Sequence, residues 1–163
     1  MFRELRRKKQ LLSREETEAV LTRGSAGVLA LSGDEDYPYA VPISYVYSGG
    51  SLYFHCARSG HKLDAIERSE KASFCVIDQD QIVPEEYTTY FRSVIAFGRI
   101  RILEDEEERR EAIEKLALKY APDSTPEERQ QEIQREWERL CILGLEIEHV
   151  TGKEAIELTR ARR

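Results

Sequence analysis

The chain has 163 residues, enough for one domain with its own hydrophobic core and no need of disulfide staples. Apolar residues are 40% of it and charged residues 34%, with nine glycines and five prolines, a composition that argues against disorder. The net charge of −6 argues against nucleic acid as a partner, and no apolar run approaches a membrane span.

The basic opening Met1–Gln10 is not followed by an apolar stretch. No secretory signal is therefore expected, and the expected location is cytoplasmic. The basic group at the start and the second one at Arg160, Arg162 and Arg163 read as solvated terminal charge. Cys56, Cys75 and Cys141 are odd in number and widely spaced, with no CxxC pair. They read as small buried hydrophobes rather than as zinc ligands or disulfides.

The first helix begins at Ser13, whose spacing to Glu16 is that of a capping box, and ends at Gly24. A strand over Ala26–Ser32 and a turn over Gly33–Asp36 follow. Tyr37–Tyr47 is predicted as one strand. Pro38 and Pro42 cannot donate to a ladder, so this strand must lie at an edge or carry a bulge. Ser48-Gly49-Gly50 predicts a hairpin turn into the strand Ser51–Ala57. Arg58–Gly60 leads to a short helix with Leu63 and Ile66 on one face. Strands are predicted over Ala72–Asp78 and Tyr87–Leu103, the latter with a kink or bulge at Gly98.

Asp105 caps the next helix, whose stripe is Ala112, Ile113, Leu116, Ala117 and Tyr120. Thr125-Pro126-Glu127-Glu128 opens another, with Ile133, Trp137 and Leu140 as its sparse apolar face. Leu143, Leu145 and Ile147 alternate as a final strand, closed by Gly152 before a charged tail. The expected fold is mainly β with flanking helices (α+β): a single domain over 1–163 whose antiparallel sheet closes into a barrel.

The segment Tyr53–Lys62 carries the most chemistry. A strand ends, a glycine turn follows, and a helix opens with His61 and Lys62. Free N–H groups at a helix start, joined by cationic side chains, make an anion socket. His55 or Ser59 could add a hydrogen bond. A plain strand–turn–helix with a surface lysine has the same spacing. Beside it, Ala40–Tyr45 offers an interrupted strand on which a flat apolar ligand could rest; an ordinary edge strand reads identically. No GxGxxG, P-loop, HExxH or Ser-His-Asp pattern is present, and His55, Cys56 and His61 lack a fourth metal partner. No metal is expected.

The runs Tyr39–Tyr47, Gly49–Ala57 and Gly60-His61-Lys62-Leu63 resemble the nitroimidazole-resistance (Nim-like) flavoproteins of the pyridoxamine 5'-phosphate oxidase-like superfamily. Arg92–Gly98 and the ending Glu146–Lys153 are similar to it as well. The resemblance implies an antiparallel split β-barrel homodimer with FMN held between subunits. It places Lys62 and His61 on the FMN phosphate. Val41, Pro42, Ile43 and Ser44 would line the ring, and His55, Cys56 and Ala57 would stand beside it. Arg92 and Ser93 would meet the flavin, from the same or the other subunit. It further implies an FMN-dependent oxidoreductase of small molecules, in particular a nitroimidazole or nitroaromatic reductase. His55 is then the residue facing the substrate, with Tyr45 and Trp137 as lesser contributors to the pocket. The alternatives are a non-catalytic flavin-binding module and a haem-binding split barrel with His55 or His149 as axial ligand.

Overall fold

Ser13 begins the first helix as its capping chemistry dictates. Its hydroxyl accepts from the Glu16 N–H at 3.1 Å, and the Glu16 carboxylate accepts from the Ser13 N–H at 2.7 Å. The computed structural model describes residues 1–162. In chain order the elements are α1 (Arg14–Arg23), β1 (Ala26–Ser32), β2 (Pro38–Ser44), β3 (Val46–Ser48), β4 (Ser51–Ala57) and α2 (His61–Arg68). There follow β5 (Lys71–Val83), β6 (Thr88–Ile102), α3 (Glu106–Tyr120), α4 (Pro126–Glu136), β7 (Leu140–Glu154) and α5 (Ile156–Ala161). Among the described residues no helix is long and apolar enough to cross a membrane.

The strands form one antiparallel sheet in the order β2-β1-β5-β6-β7-β4-β3. Its two ends, β2 and β3, are the two halves of the single strand predicted over Tyr37–Tyr47. The break falls at Tyr45. The side chain of Tyr45 is fully buried, its hydroxyl donates to the Leu21 carbonyl at 2.7 Å, and its ring meets Phe74 edge-on. One chain segment thus joins both ends of the sheet and rolls it into a split barrel. β2 has a ladder on one side only, which accommodates Pro38 and Pro42.

The turn between β3 and β4 is the two-residue hairpin expected. Gly49 and Gly50 have φ of 58° and 80°, the left-handed pair that such a turn requires. Gly98 marks a register shift between β6 and β7. A Cβ there would collide with the Glu146 carbonyl, so only glycine fits.

The barrel interior is filled by Leu29, Leu52, Phe54, Phe74, Val76, Val94, Leu143 and Leu145, among other residues. A second cluster lies outside the barrel, where Ile113 and Leu116 of α3 and Ile133 of α4 pack on Ile142. Burying each such side chain stabilises by roughly 1.5–3 kcal/mol.

Four expectations need correction. Leu140 does not belong to the α4 face; it opens β7 and pairs with Ala57. β5 runs on to Val83, past a bulge at Asp78, because Gln79–Val83 pairs with Thr88–Arg92 in a hairpin. β7 continues to Glu154, with Gly152 paired to Val94 inside it rather than closing it. Arg163 of the expected terminal basic group lies outside the described residues, and the charged tail before it is ordered as α5 over Ile156–Ala161. Its Arg162 pairs with Glu16 and with Glu154, a carboxylate fully buried beneath Arg92. A buried carboxylate needs such partners, and pairing across 146 residues is invisible to local pattern.

Candidate functional site

The barrel's split lies between β2 and β4, which approach without a hydrogen-bonded ladder. β3 and β4 pair Val46 with Tyr53. Across the split, Ser44 of β2 and His55 of β4 line one cleft, and Pro42 and Ala57 lie two residues along from them on the same strands. All four are exposed and stand on the outer lips. The alternate residues Val41, Ile43 and Cys56 are half-buried and back the same lips from the core. Seven of the residues expected at one site therefore lie on the two strands that border the split, four of them exposed and three half-buried.

At the end of β4, Gly60 has φ 137° and serves as the N-cap of α2 without any side-chain cap. The first backbone N–H to bond within α2 is that of Asp64, to the Gly60 carbonyl at 3.2 Å. The N–H groups of His61, Lys62 and Leu63 are therefore left for an acceptor outside the helix. Lys62 is half-buried and makes no ion pair among the described residues. His61 is engaged elsewhere. Its ring stacks on Tyr39 at 3.9 Å, and its Nε2 accepts from the Asp34 N–H at 3.4 Å. Lys62 is the cation the helix start retains.

Burial pushes the Cys56 thiol up to about 12, an effect that the neighbouring Cys141 reinforces and the Lys62 charge only partly offsets. Cys56 is thus a protonated packing residue. Among the described residues no cluster of three His, Cys, Asp or Glu side chains could hold a metal ion.

Arg92 and Ser93 do not join this groove within one chain. Ser93 pairs with Ile77, which puts it three strand spacings from β2, about 14 Å. The Arg92 guanidinium is held by Glu154 at 2.9 Å and Asp78 at 3.1 Å. Tyr45 is inside the core and does not shape the groove. Trp137 is also remote from it, half-buried between the guanidinium groups of Arg109 and Arg110 at 4.3 and 4.5 Å. His149 stacks on Phe2 at 4.7 Å and stands cross-strand from Phe97 on the sheet's outer face, on β7 rather than on either strand of the split.

The sequence reading missed what fixes the break. The Tyr45 N–H donates to the Tyr120 hydroxyl at 2.9 Å, and Lys119 donates to the Gly24 and Tyr45 carbonyls at 2.5 and 2.8 Å. Tyr120 was visible only as the end of an apolar stripe. Also missed was a cleft of about 500 Å³ in which α3 and α4 meet Ser44 and His55.

The family model described as pyridoxamine 5'-phosphate oxidase matches residues 13–154. The chain belongs to that family. The matched stretch contains both lips of the split and the whole of α2. The protein RA0666 of Rhizobium meliloti (strain 1021) is 34% identical over 94 residues, 58% of this chain and 57% of that protein. The match thus spans little more than half of that relative's length. Among solved structures, a FAD-binding protein (mll6688) of Mesorhizobium loti is 26% identical, with TM-score 0.65, over 90% of this chain and 97% of that one. A candidate 5-nitroimidazole antibiotic resistance protein of Bacteroides thetaiotaomicron VPI-5482 has TM-score 0.73 at 20% identity, over 88% of this chain and 86% of that one. That second likeness shows the family's fold.

Proposed function

We propose that this chain is an FMN-dependent oxidoreductase that works as a homodimer and reduces small flat organic molecules, nitroimidazoles and nitroaromatics among them. The observation that carries it is the split itself. It is an open groove lipped by Pro42, Ser44, His55 and Ala57, ending at an uncapped helix start with an unpaired lysine. A flat ring with a phosphate tail matches that combination of an apolar bed and an anion socket. One socket suits the single phosphate of FMN. The FAD-binding relative from Mesorhizobium loti supports a flavin in general.

The bound flavin supplies the redox chemistry. The chain's own residues bind and orient. Lys62 and the N–H groups of α2 hold the phosphate. Pro42 removes one N–H from the bed, and the outward backbone of β2 has no further strand to pair with. The His55 imidazole is exposed, lines the cleft and has no side-chain hydrogen-bond partner among the described residues, which leaves it to meet a substrate.

The dimer is supported by the sheet's outer face. Pro42, Val28, Cys75, Ile95 and Thr151 form one row across five strands, and Ile77 and Phe97 stand exposed beside it. A sheet apolar on both faces seeks a second cover. A second copy would supply that cover and would bring its own Arg92 and Ser93 toward the groove.

The test is turnover. A nicotinamide donor is expected to bleach the flavin band anaerobically, and a nitroimidazole is expected to restore it. A retained flavin that no donor reduces would leave only a flavin-binding module.

A further inference from the structure

The cleft between α3, α4 and β4 adjoins the split, and Ser44 and His55 belong to both. Its walls are apolar, with Ile113 and Leu116 from α3, Ile133 from α4 and Leu140 from β7. Its volume of about 500 Å³ is that of a small-molecule site. α4 lays Glu128, Glu132 and Glu136 along it, four residues apart and so on one helix face.

The basic groups nearby are engaged. Arg129 is held by Glu114 at 3.3 Å and by the Ser124 carbonyl at 2.6 Å. Arg135 lies outside the cleft, 2.6 Å from Glu132 and 3.6 Å from Glu136. Lys119 is turned to the Gly24 and Tyr45 carbonyls. Three carboxylates thus line the cleft with the one guanidinium of Arg129, which Glu114 holds from outside, while Glu128 also caps α4 and Arg135 reaches Glu132 and Glu136 from the solvent side; the apolar walls focus the remaining negative field.

We propose that this cleft is the organic-substrate pocket of the flavin site, and that it selects planar apolar molecules bearing a protonated amine while rejecting carboxylated or phosphorylated ones. The inference rests on the flavin reading for the pocket's role, though not for its charge preference. It separates this chain from the substrate in its family's name, whose phosphate would meet the Glu128–Glu136 line. The protonated amine would lie toward that line, and the ring would lie between α3 and α4, above His55.

Two probes alike in shape and opposite in charge test it: naphthylmethylammonium and naphthoate, titrated calorimetrically into the protein at low ionic strength. The ammonium is expected to bind about tenfold more tightly. The gap is expected to narrow in E132Q/E136Q, checked for folding by its thermal melt, and at raised salt. A117F, which fills the cleft without touching a charge, is expected to block the ammonium. Equal or tighter binding of naphthoate, no binding of either probe, or an unchanged gap in E132Q/E136Q would overturn the proposal. Flavin retention is read separately from the visible band. A protein that holds flavin but shows no charge preference fails this inference alone. A protein that selects the ammonium yet never holds flavin fails the flavin reading and, with it, the pocket's role.

Discussion

The backbone N–H of Tyr45 donates to the hydroxyl of Tyr120, 75 residues away, at the point where a strand should have offered it a carbonyl. That bond lets one segment leave β2, turn, and enter β3 at the opposite end of the sheet. Lys119 supports the same corner, lying 4.0 Å above the Tyr45 ring. The end of α3 therefore holds the corner between β2 and β3. Y120F removes the acceptor and leaves the Tyr45 N–H unsatisfied, with an expected loss of about 1–3 kcal/mol. Urea denaturation checks it; a midpoint equal to the parent's would show the corner holds without Tyr120.

The outer sheet row places Ile95 between Cys75 and Thr151, exposed in a single chain. I95D puts a charge in the middle of the proposed dimer face. Sedimentation is expected to show a dimer for the parent and a monomer for I95D. A parent that is monomeric at high concentration contradicts the interface.

Asp78 accepts from Arg23 at 2.6 and 2.7 Å and from Arg92 at 3.1 Å. The Arg23 hydrogen bond holds its carboxyl below the usual carboxylate range; burial opposes this, and the Arg92 hydrogen bond assists it. Because the folded value is the lower one, the stabilisation is complete above the unfolded value of about 3.9. It is lost as pH falls from there through the folded value. D78N is expected to be less stable at neutral pH and to lose less on acidification below about pH 4. Denaturation midpoints at a series of pH values check this; parallel curves for the two proteins would refute it.

Burial raises all three thiols, with Cys56 at about 12. Only the thiolate attacks a disulfide reagent. The native protein is expected to be nearly silent to Ellman's reagent at about pH 8 and to release three thiols once unfolded. Fast reaction of the folded protein would contradict the burial of these thiols.

Local chemistry made much of this fold legible. Ser13, Asp105 and Thr125 announced helix starts, and Gly49-Gly50 announced the hairpin. The alternation along β2 and β4 put Pro42, Ser44, His55 and Ala57 at exposed positions. What the sequence hid depends on distant partners. The break at Tyr45 needs Tyr120, the order of the tail needs Glu154 with Arg162, and Gln79–Val83 is a strand only because Thr88–Arg92 lies beside it. The cleft was hidden for the same reason, since Ile113, Ile133 and His55 meet only in the folded chain.

The most direct measurement is the visible spectrum of the purified protein after incubation with FMN and gel filtration. A flavin band that survives filtration is expected for the parent. It should weaken in K62A, whose affinity is expected to fall about ten- to a hundredfold. A protein that stays colourless at saturating FMN would contradict the account, and a Soret band in its place would mean that the barrel holds haem.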